Sequence, residues 1–146
     1  TLNHLYLETP ALWQIDGSWD GFEWIDADNR EQSIYTFLRR DFEGNEILVL
    51  CNFTPATYKN YRVGVKTYGE YYEIFNSDDK RFGGSGVLNE NACLCSDIPW
   101  NGRDYSIEIT VPPLAATVFG IIPKALPKKL SGRNAAIEEN AQRVKR

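Results

Sequence analysis

The sequence predicts an all-β fold, an antiparallel β-sandwich of about seven or eight strands. Short segments rich in β-branched and aromatic residues recur along its 146 residues, and turn-forming residues separate them. One candidate strand, residues 46–53, is apolar on both faces, which is typical of a central strand covered on both sides. The chain is long enough to bury a core without disulfides or metals.

The first 32 residues differ from the rest. Residues 1–12 read as the end of a helix, because Leu2, Leu5 and Tyr6 fall on one helical stripe and Pro10 ends or kinks it. Glycines in residues 13–32 predict irregular backbone. Four large aromatic side chains lie there among acidic residues and are expected to pack against an apolar surface, since no neighbouring periodic segment covers them: Trp13, Trp19, Phe22 and Trp24.

The strand pattern begins at Ser33. Alternation and β-propensity predict strands at residues 33–39, 46–53, 61–65, 70–75, 105–111 and 115–122. A loop containing Gly44 joins the first two as a hairpin, and residues 76–104 are predicted as a long loop region. One face of the central strand at residues 46–53 is expected to pack against the opposing sheet. The other face is expected to pack against either a nearby segment of this chain or a neighbouring domain. The chain thus divides into residues 1–32, an all-β domain at 33–122, and a basic tail at 123–146.

Charge limits the partners. The formal net charge is -4, and acidic residues outnumber basic ones two to one in residues 1–122. The acidic excess of residues 1–122 argues against nucleic-acid binding, because that function needs a basic face. No apolar run approaches the ~18 residues of a membrane span, so no membrane partner is predicted. The tail at 123–146 is expected to be a flexible, solvated extension, and contact with an acidic partner is the alternative.

The three cysteines predict neither disulfides nor a metal. An odd count and the C-x-C spacing of Cys93 and Cys95 fit reduced thiols in a cytoplasmic protein. With His4 there are enough soft ligands for one zinc ion, but no CxxC pair is present and Cys51 lies within a predicted strand. We therefore predict no metal and no cofactor.

No motif predicts catalysis. The one histidine, His4, lies on the terminal helix, so a nucleophile–histidine pair is not expected. The glycine-rich segment 83–86 lacks the features of a nucleophile elbow or a phosphate loop and predicts a turn. Glycoside chemistry uses two carboxylates, and three pairs are candidates by residue type, but turns and solvation account for them: Asp16/Asp20, Asp26/Asp28 and Asp78/Asp79.

Aromatic residues outside the first 32 residues are the remaining candidates for a binding site. Tyr68, Tyr71 and Trp100 fall at strand ends or in loops, where their rings could be exposed. Aromatic faces stack on the C–H faces of sugars, and they also fill cores and interfaces. The residues alone therefore leave a sugar-binding role and a packing role open for all three.

Seven segments, taken together, carry a family resemblance. They are LNHLY (2–6), PAL (10–12), GFEWI (21–25), FLRR (37–40), NFTP (52–55), NSD (76–78) with GGSG (83–86), and PPLA (112–115). In this order the chain resembles, over about residues 2–122, the C-terminal end of bacterial 1,4-α-glucan (glycogen) branching enzymes of the α-amylase superfamily. Residues 89–103, which hold two cysteines, match no fixed motif of the family.

The resemblance implies that residues 1 to about 31 are the last helix and exit segment of a (β/α)₈ catalytic barrel, followed by an α-amylase-type C-terminal β-sandwich. The family's catalytic Asp, Glu and Asp lie upstream on barrel strands, and nothing here matches them. A non-catalytic domain is therefore expected, in a parent enzyme of glycogen biosynthesis that cleaves α-1,4 and forms α-1,6 linkages. The absence of methionine, even at Thr1, agrees with a processed product or fragment.

The same resemblance assigns partners to the aromatic residues. Trp13, Trp19, Phe22 and Trp24 would pack between barrel and sandwich, or rim the glucan cleft of the barrel. The catalytic barrel of the same polypeptide is thus the expected partner. The alternative is a stand-alone glucan-binding module, with three surface aromatics as its candidate binding residues: Tyr68, Tyr71 and Trp100.

Overall fold

Eight antiparallel strands in two sheets build the protein in the computed structural model, which describes residues 1–127. The strands are β1 (Phe22–Asp26), β2 (Ile34–Arg40), β3 (Glu46–Asn52), β4 (Tyr58–Val65), β5 (Gly69–Asn76), β6 (Cys93–Leu94), β7 (Tyr105–Val111) and β8 (Ala115–Pro123). The larger sheet has the order β1-β2-β3-β8-β5-β6, and β4 pairs with β7 in the smaller one. The predicted all-β sandwich is confirmed.

The main core lies between the two sheets. Alternation in β7 directs Ile107 and Ile109 inward from the smaller sheet, and Leu48, Leu50 and Phe119 face them from the larger sheet. Burial of such side chains contributes about 1.5–3 kcal/mol each to the free energy of folding. The core therefore holds the two sheets together as layers.

A second apolar cluster lies on the outer face of the larger sheet. Ile47 and Val49 of β3 are buried there against Val118 of β8 and Ala11 of the N-terminal segment. The N-terminal segment of this chain therefore covers part of the outer face of β3, which the apolar pattern of that strand predicts to be buried. That segment consists of helix α1 (Leu2–Glu8), which buries none of its residues, and a 3₁₀ turn at Pro10–Leu12.

Arg39 fastens the N-terminal segment to this outer face. Its guanidinium donates hydrogen bonds to the carbonyl oxygens of Ala11 (3.3 Å) and Leu12 (3.1 Å) and to the carboxylate of Asp16 (2.9 Å). The predicted helix end at Pro10 is confirmed, since α1 stops at Glu8 and the chain tightens into the 3₁₀ turn. No helix in residues 1–127 is long and apolar enough to cross a membrane.

The irregular backbone predicted for residues 13–32 is wrong for β1. Phe22 pairs with Arg39 and Trp24 with Phe37 along the edge of β2, with a bulge between Trp24 and Asp26. Gly21, which together with Gly17 suggested irregularity, ends a 3₁₀ turn just before the strand. A Cβ there would lie 2.1 Å from the carbonyl oxygen of Ile15, so close backbone approach explains that glycine.

The remaining strands follow the predicted positions with shifted ends. β7 has the predicted bounds, whereas β4 starts three residues earlier, at Tyr58. The long loop region contains a 3₁₀ turn at Lys80–Phe82 and the short strand β6, which pairs with β5. Of the predicted tail, residues 128–146 lie outside the described part of the chain.

Candidate functional site

A continuous row of aromatic rings covers the β1–β2 end of the outer face, and we call it the aromatic surface. Its members are Trp19, Phe22, Trp24, Tyr35, Phe37 and Phe53. The ring centroids of Phe22 and Trp24 are 4.9 Å apart, and Phe22 stacks on Phe37 at 5.1 Å. The row continues from Trp24 to Tyr35 at 6.4 Å. Six rings thus form one surface rather than scattered side chains.

Strand periodicity assembles this surface. In β2, Ile34, Thr36 and Leu38 point into the core, so Tyr35 and Phe37 point outward. In β1, Ile25 is buried and its neighbour Trp24 lies on the outer face. Antiparallel pairing then sets Trp24 directly opposite Phe37. Such cross-strand aromatic pairs contribute about 0.2–1 kcal/mol relative to alanine pairs.

The aromatic surface is largely open to solvent. Trp19 is 80% exposed, Phe53 is 65% exposed and Trp24 is 45% exposed. A cavity of about 520 Å³ lies beside Trp19 and Trp24, and Asp16 and Arg39 contribute polar groups to its wall. Contiguous exposed apolar area of this kind marks a contact surface for a protein or a ligand.

Three of the four predicted interface residues belong to this surface, and Trp13 does not. Trp19, Phe22 and Trp24 lie in one row of rings. Trp13 follows the 3₁₀ turn and is 40% exposed, and within residues 1–127 no ring contact joins it to the row. The expectation that no neighbouring element covers Phe22 is wrong, because Phe37 of β2 stacks on it.

Three aromatic residues of the surface were missed by the sequence analysis. Tyr35 and Phe37 carry a signal that could have identified them, namely their positions opposite the inward residues of β2. Phe53 follows β3 and contacts Tyr35 with a centroid distance of 5.6 Å. That contact depends on the register of the predicted hairpin, which pairs Tyr35 with Cys51 and so brings Phe53 beside Tyr35.

The predicted glucan-binding trio is corrected at Tyr71. Tyr71 is 1% exposed and lies in the main core, so its ring offers no face to a ligand. Burial also raises the pKa of its hydroxyl, which donates a hydrogen bond to the carbonyl oxygen of Thr67 (2.9 Å). Tyr68 is half-buried and packs edge-on against Tyr105 at 5.4 Å. Trp100 alone of the three is mainly exposed, at 48%.

The glycine-rich segment 83–86 is a turn, as predicted. The Asp78 carboxylate organises it by accepting hydrogen bonds from the Ser85 hydroxyl (2.6 Å), the Ser85 amide (2.9 Å) and the Val87 amide (2.9 Å). Burial opposes ionisation of Asp78, but the hydrogen bonds from Ser85 and Val87 outweigh it and lower the pKa of this carboxyl. A carboxylate committed to three donors in this way holds a loop together.

The ionisable groups in the described residues offer no assembled catalytic or metal constellation. His4 lies on the exposed helix α1, away from the residues of the aromatic surface. Within residues 1–127, no group of three or more His, Cys, Asp or Glu side chains is placed to hold a metal ion. The cysteines are free, and burial raises the pKa of the Cys51 and Cys95 thiols.

The fold and the aromatic surface define an all-β domain that presents one apolar face for contact. The family described as "Alpha amylase, C-terminal all-beta domain" matches residues 24–121. The chain therefore belongs to the family of α-amylase C-terminal all-β domains.

Three similar curated proteins carry the name 1,4-alpha-glucan branching enzyme GlgB. The protein from Halothermothrix orenii is 49% identical over 119 residues, which is 81% of this chain and 19% of that relative. The protein from Desulfitobacterium hafniense is 46% identical over 120 residues, with the same shares. The protein from Bacillus cytotoxicus is 40% identical over 139 residues, 94% of this chain and 22% of the relative. The chain thus spans about a fifth of the length of these relatives.

Proposed function

We propose that this chain is the non-catalytic C-terminal domain of a cytoplasmic 1,4-α-glucan branching enzyme of glycogen biosynthesis. The parent would cleave an α-1,4 linkage and transfer the freed segment to a 6-hydroxyl. Similarity to branching enzymes over 81% of the chain supports the parent activity. Carboxylates such as Asp16 and Asp78 are engaged in ion pairs and turns, which favours a structural rather than a catalytic role. The proposed domain has neither nucleic acid nor a membrane as a binding partner.

The partner of the aromatic surface, in this proposal, is the catalytic barrel of the same polypeptide. The observation that supports it is the unbroken row of rings from Trp19 to Phe53, in which four of the six rings are exposed. This row lies on the same face as the N-terminal segment, which Arg39 fastens there. A domain that precedes residue 1 would therefore join the chain on the same face as the rings, where Leu5 and Glu8 of α1 lie near Ile121 of β8. Burial of such side chains would yield about 25 cal/mol for each Å² of apolar area removed from water.

A chimera tests this proposal. Residues equivalent to this chain in the Halothermothrix orenii relative are replaced by the chain itself, and branching is followed by iodine staining of amylose. We expect the chimera to branch amylose and the 146-residue chain alone to leave it unchanged. Branching by the chain alone, or a folded but inactive chimera, would contradict the proposal.

Two tryptophans of similar exposure, Trp24 (45%) and Trp100 (48%), provide a matched pair for the contact itself. Trp24→Ala and Trp100→Ala are each made in the isolated chain and in the chimera, and melting temperatures are compared. Trp24→Ala is expected to lower the melting temperature more in the chimera than in the isolated chain, because only there is its ring buried. Trp100→Ala is expected to give the same shift in both. Equal shifts for Trp24→Ala would refute contact with the barrel.

We do not propose the alternative of a glucan-binding module that uses all three of Tyr68, Tyr71 and Trp100. Tyr71 is inside the core and Tyr68 is half-buried against it. Trp100 remains exposed, at 48%.

A further inference from the structure

A polar cleft of about 500 Å³ opens beside Trp100. Three distant parts of the chain meet in it: the segment after β1, the start of β4, and the turn before β7. Its polar and aromatic lining includes Asn29, Tyr58, Asn60, Tyr61, Trp100 and Asn101. None of the residues lining this cleft lines the cavity at the aromatic surface. Contact of the aromatic surface with a barrel therefore leaves the cleft a separate site.

The turn that carries Trp100 is firmly held although the ring is exposed. Trp100 and Arg103 exchange two backbone hydrogen bonds, of 3.0 and 2.9 Å. The Asn101 side-chain oxygen accepts a hydrogen bond from the amide of Gly64 (2.9 Å), which ties the turn to β4. A rigid aromatic side chain on a fixed backbone offers a stacking platform that loses little conformational entropy on binding.

The lining of the cleft is rich in amides, and its backbone is irregular. Asn60 has a left-handed conformation (φ 53°) at the bulge where the register of β4 shifts between Tyr58 and Tyr61. Asn101 is also left-handed (φ 49°). Bulges and left-handed residues redirect side chains and cluster at binding sites. Side-chain amides both donate and accept hydrogen bonds, which suits a ligand rich in hydroxyl groups.

The charges in the cleft favour a neutral ligand. The guanidinium of Arg62 is occupied by the Ser106 hydroxyl (2.8 Å) and the Glu108 carboxylate. Asp26 and Lys59, which also line the cleft, are of opposite sign. The charges of Asp26 and Lys59 balance and the Arg62 guanidinium is paired, so the cleft carries no net charge, and a neutral hydroxylated ring would meet amides and an aromatic face.

We propose that this cleft binds a neutral α-1,4-glucan chain, with one glucose ring stacked on Trp100 and its hydroxyls bonded to the neighbouring amides. The choice of α-1,4-glucan rests on the proposed function, whereas the carbohydrate chemistry rests on the cleft itself. Such a site would hold a glucan on the domain while the aromatic surface is covered.

Affinity electrophoresis of the 146-residue chain tests this site. The chain is run in native gels with and without amylopectin, and maltoheptaose is used as the soluble competitor. We expect amylopectin to retard the chain and maltoheptaose to relieve the retardation. Trp100→Ala is expected to weaken the apparent affinity at least about tenfold, because the stacking face is lost. Phe42→Ala, which removes an exposed ring of the β2–β3 hairpin, should leave retardation unchanged.

A second variant separates binding from folding. Asn60→Gly removes the amide but keeps the left-handed backbone available, because glycine adopts positive φ freely. We expect a native circular dichroism spectrum and several-fold weaker retardation. An unretarded but folded chain, or equal retardation of the unaltered and Trp100→Ala chains, would overturn the proposal. Branching by the chimera does not depend on this result, so failure here is distinguishable from failure of the proposed function.

Discussion

The guanidinium of Arg103 lies 2.7 Å from the carboxylate of Glu23, although eighty positions separate the two residues in sequence. Arg103 also donates hydrogen bonds to the carbonyl oxygens of Trp24 (2.9 Å) and Asn101 (2.9 Å). Glu23 in turn contacts the ammonium of Lys66 at 2.7 Å. One arginine thus joins the strand of the aromatic surface to the turn of the cleft.

Replacement of this arginine should destabilise the whole domain. Arg103→Met removes a side chain that is 9% exposed, together with its hydrogen bonds to two carbonyl oxygens and to Glu23, which keeps its contact with Lys66. We expect a loss of about 1.5–3 kcal/mol in the free energy of unfolding, measured with urea. Arg30→Met is the control, since Arg30 and its partner Asp28 are both exposed, and a change within about 0.5 kcal/mol is expected. Equal losses for the two variants would contradict the assigned role.

Addition of one methyl group at Gly64 should displace the Trp100 turn. A Cβ at Gly64 would lie 1.9 Å from the carbonyl oxygen of Trp100, so either β4 or the turn must move. Gly64→Ala is expected to lower the free energy of unfolding by about 1–3 kcal/mol. Gly17→Ala, where the new Cβ meets open space, should change it by less than about 0.5 kcal/mol. A Gly64→Ala protein as stable as the unaltered chain would show that the turn is not fixed as described.

The stability of the 83–86 turn should depend on pH through Asp78. Its pKa is lower in the folded than in the unfolded chain, so its contribution is present above the unfolded pKa and is lost as pH falls through the folded pKa. Asp78→Asn should therefore cost on the order of 2 kcal/mol near pH 7 and less near about pH 3, as measured by urea unfolding. The exposed Asp104→Asn should cost little at either pH. A cost for Asp78→Asn that is the same at both pH values would contradict this role.

Tyr71→Phe distinguishes a core residue from a ligand-binding one. The variant loses the hydrogen bond to the Thr67 carbonyl oxygen but keeps the buried ring. We expect a loss of about 1 kcal/mol in stability and no change in amylopectin retardation. Weaker retardation with unchanged stability would instead place Tyr71 in a glucan site.

The strands with strong local patterns could be predicted from the sequence. The alternation of β7 gives its bounds, and the apolar run of β3 correctly indicates cover on both faces. β1 could not be found in this way, because its five residues carry two charges and its regularity comes from pairing with β2. Its existence depends on a neighbour that folds back beside it.

The candidate sites were predictable only in part. Sequence identifies aromatic residues, but exposure depends on which way a strand or turn carries each ring. Tyr71 alternates into the core, whereas Trp100 sits on a turn that packs against Gly64. Asn60 and Asn101 meet in one cleft only because the bulge in β4 and the turn before β7 lie side by side.

The bonds from Arg39 to Ala11 and Leu12 have a further consequence for assembly. In the proposed branching enzyme, they would shorten the free tether between the sheet and a catalytic domain joined ahead of α1. A short tether raises the effective concentration of an attached partner to the order of millimolar. An aromatic surface of only modest intrinsic affinity would then be occupied most of the time, while the same partner added as a separate molecule would bind weakly.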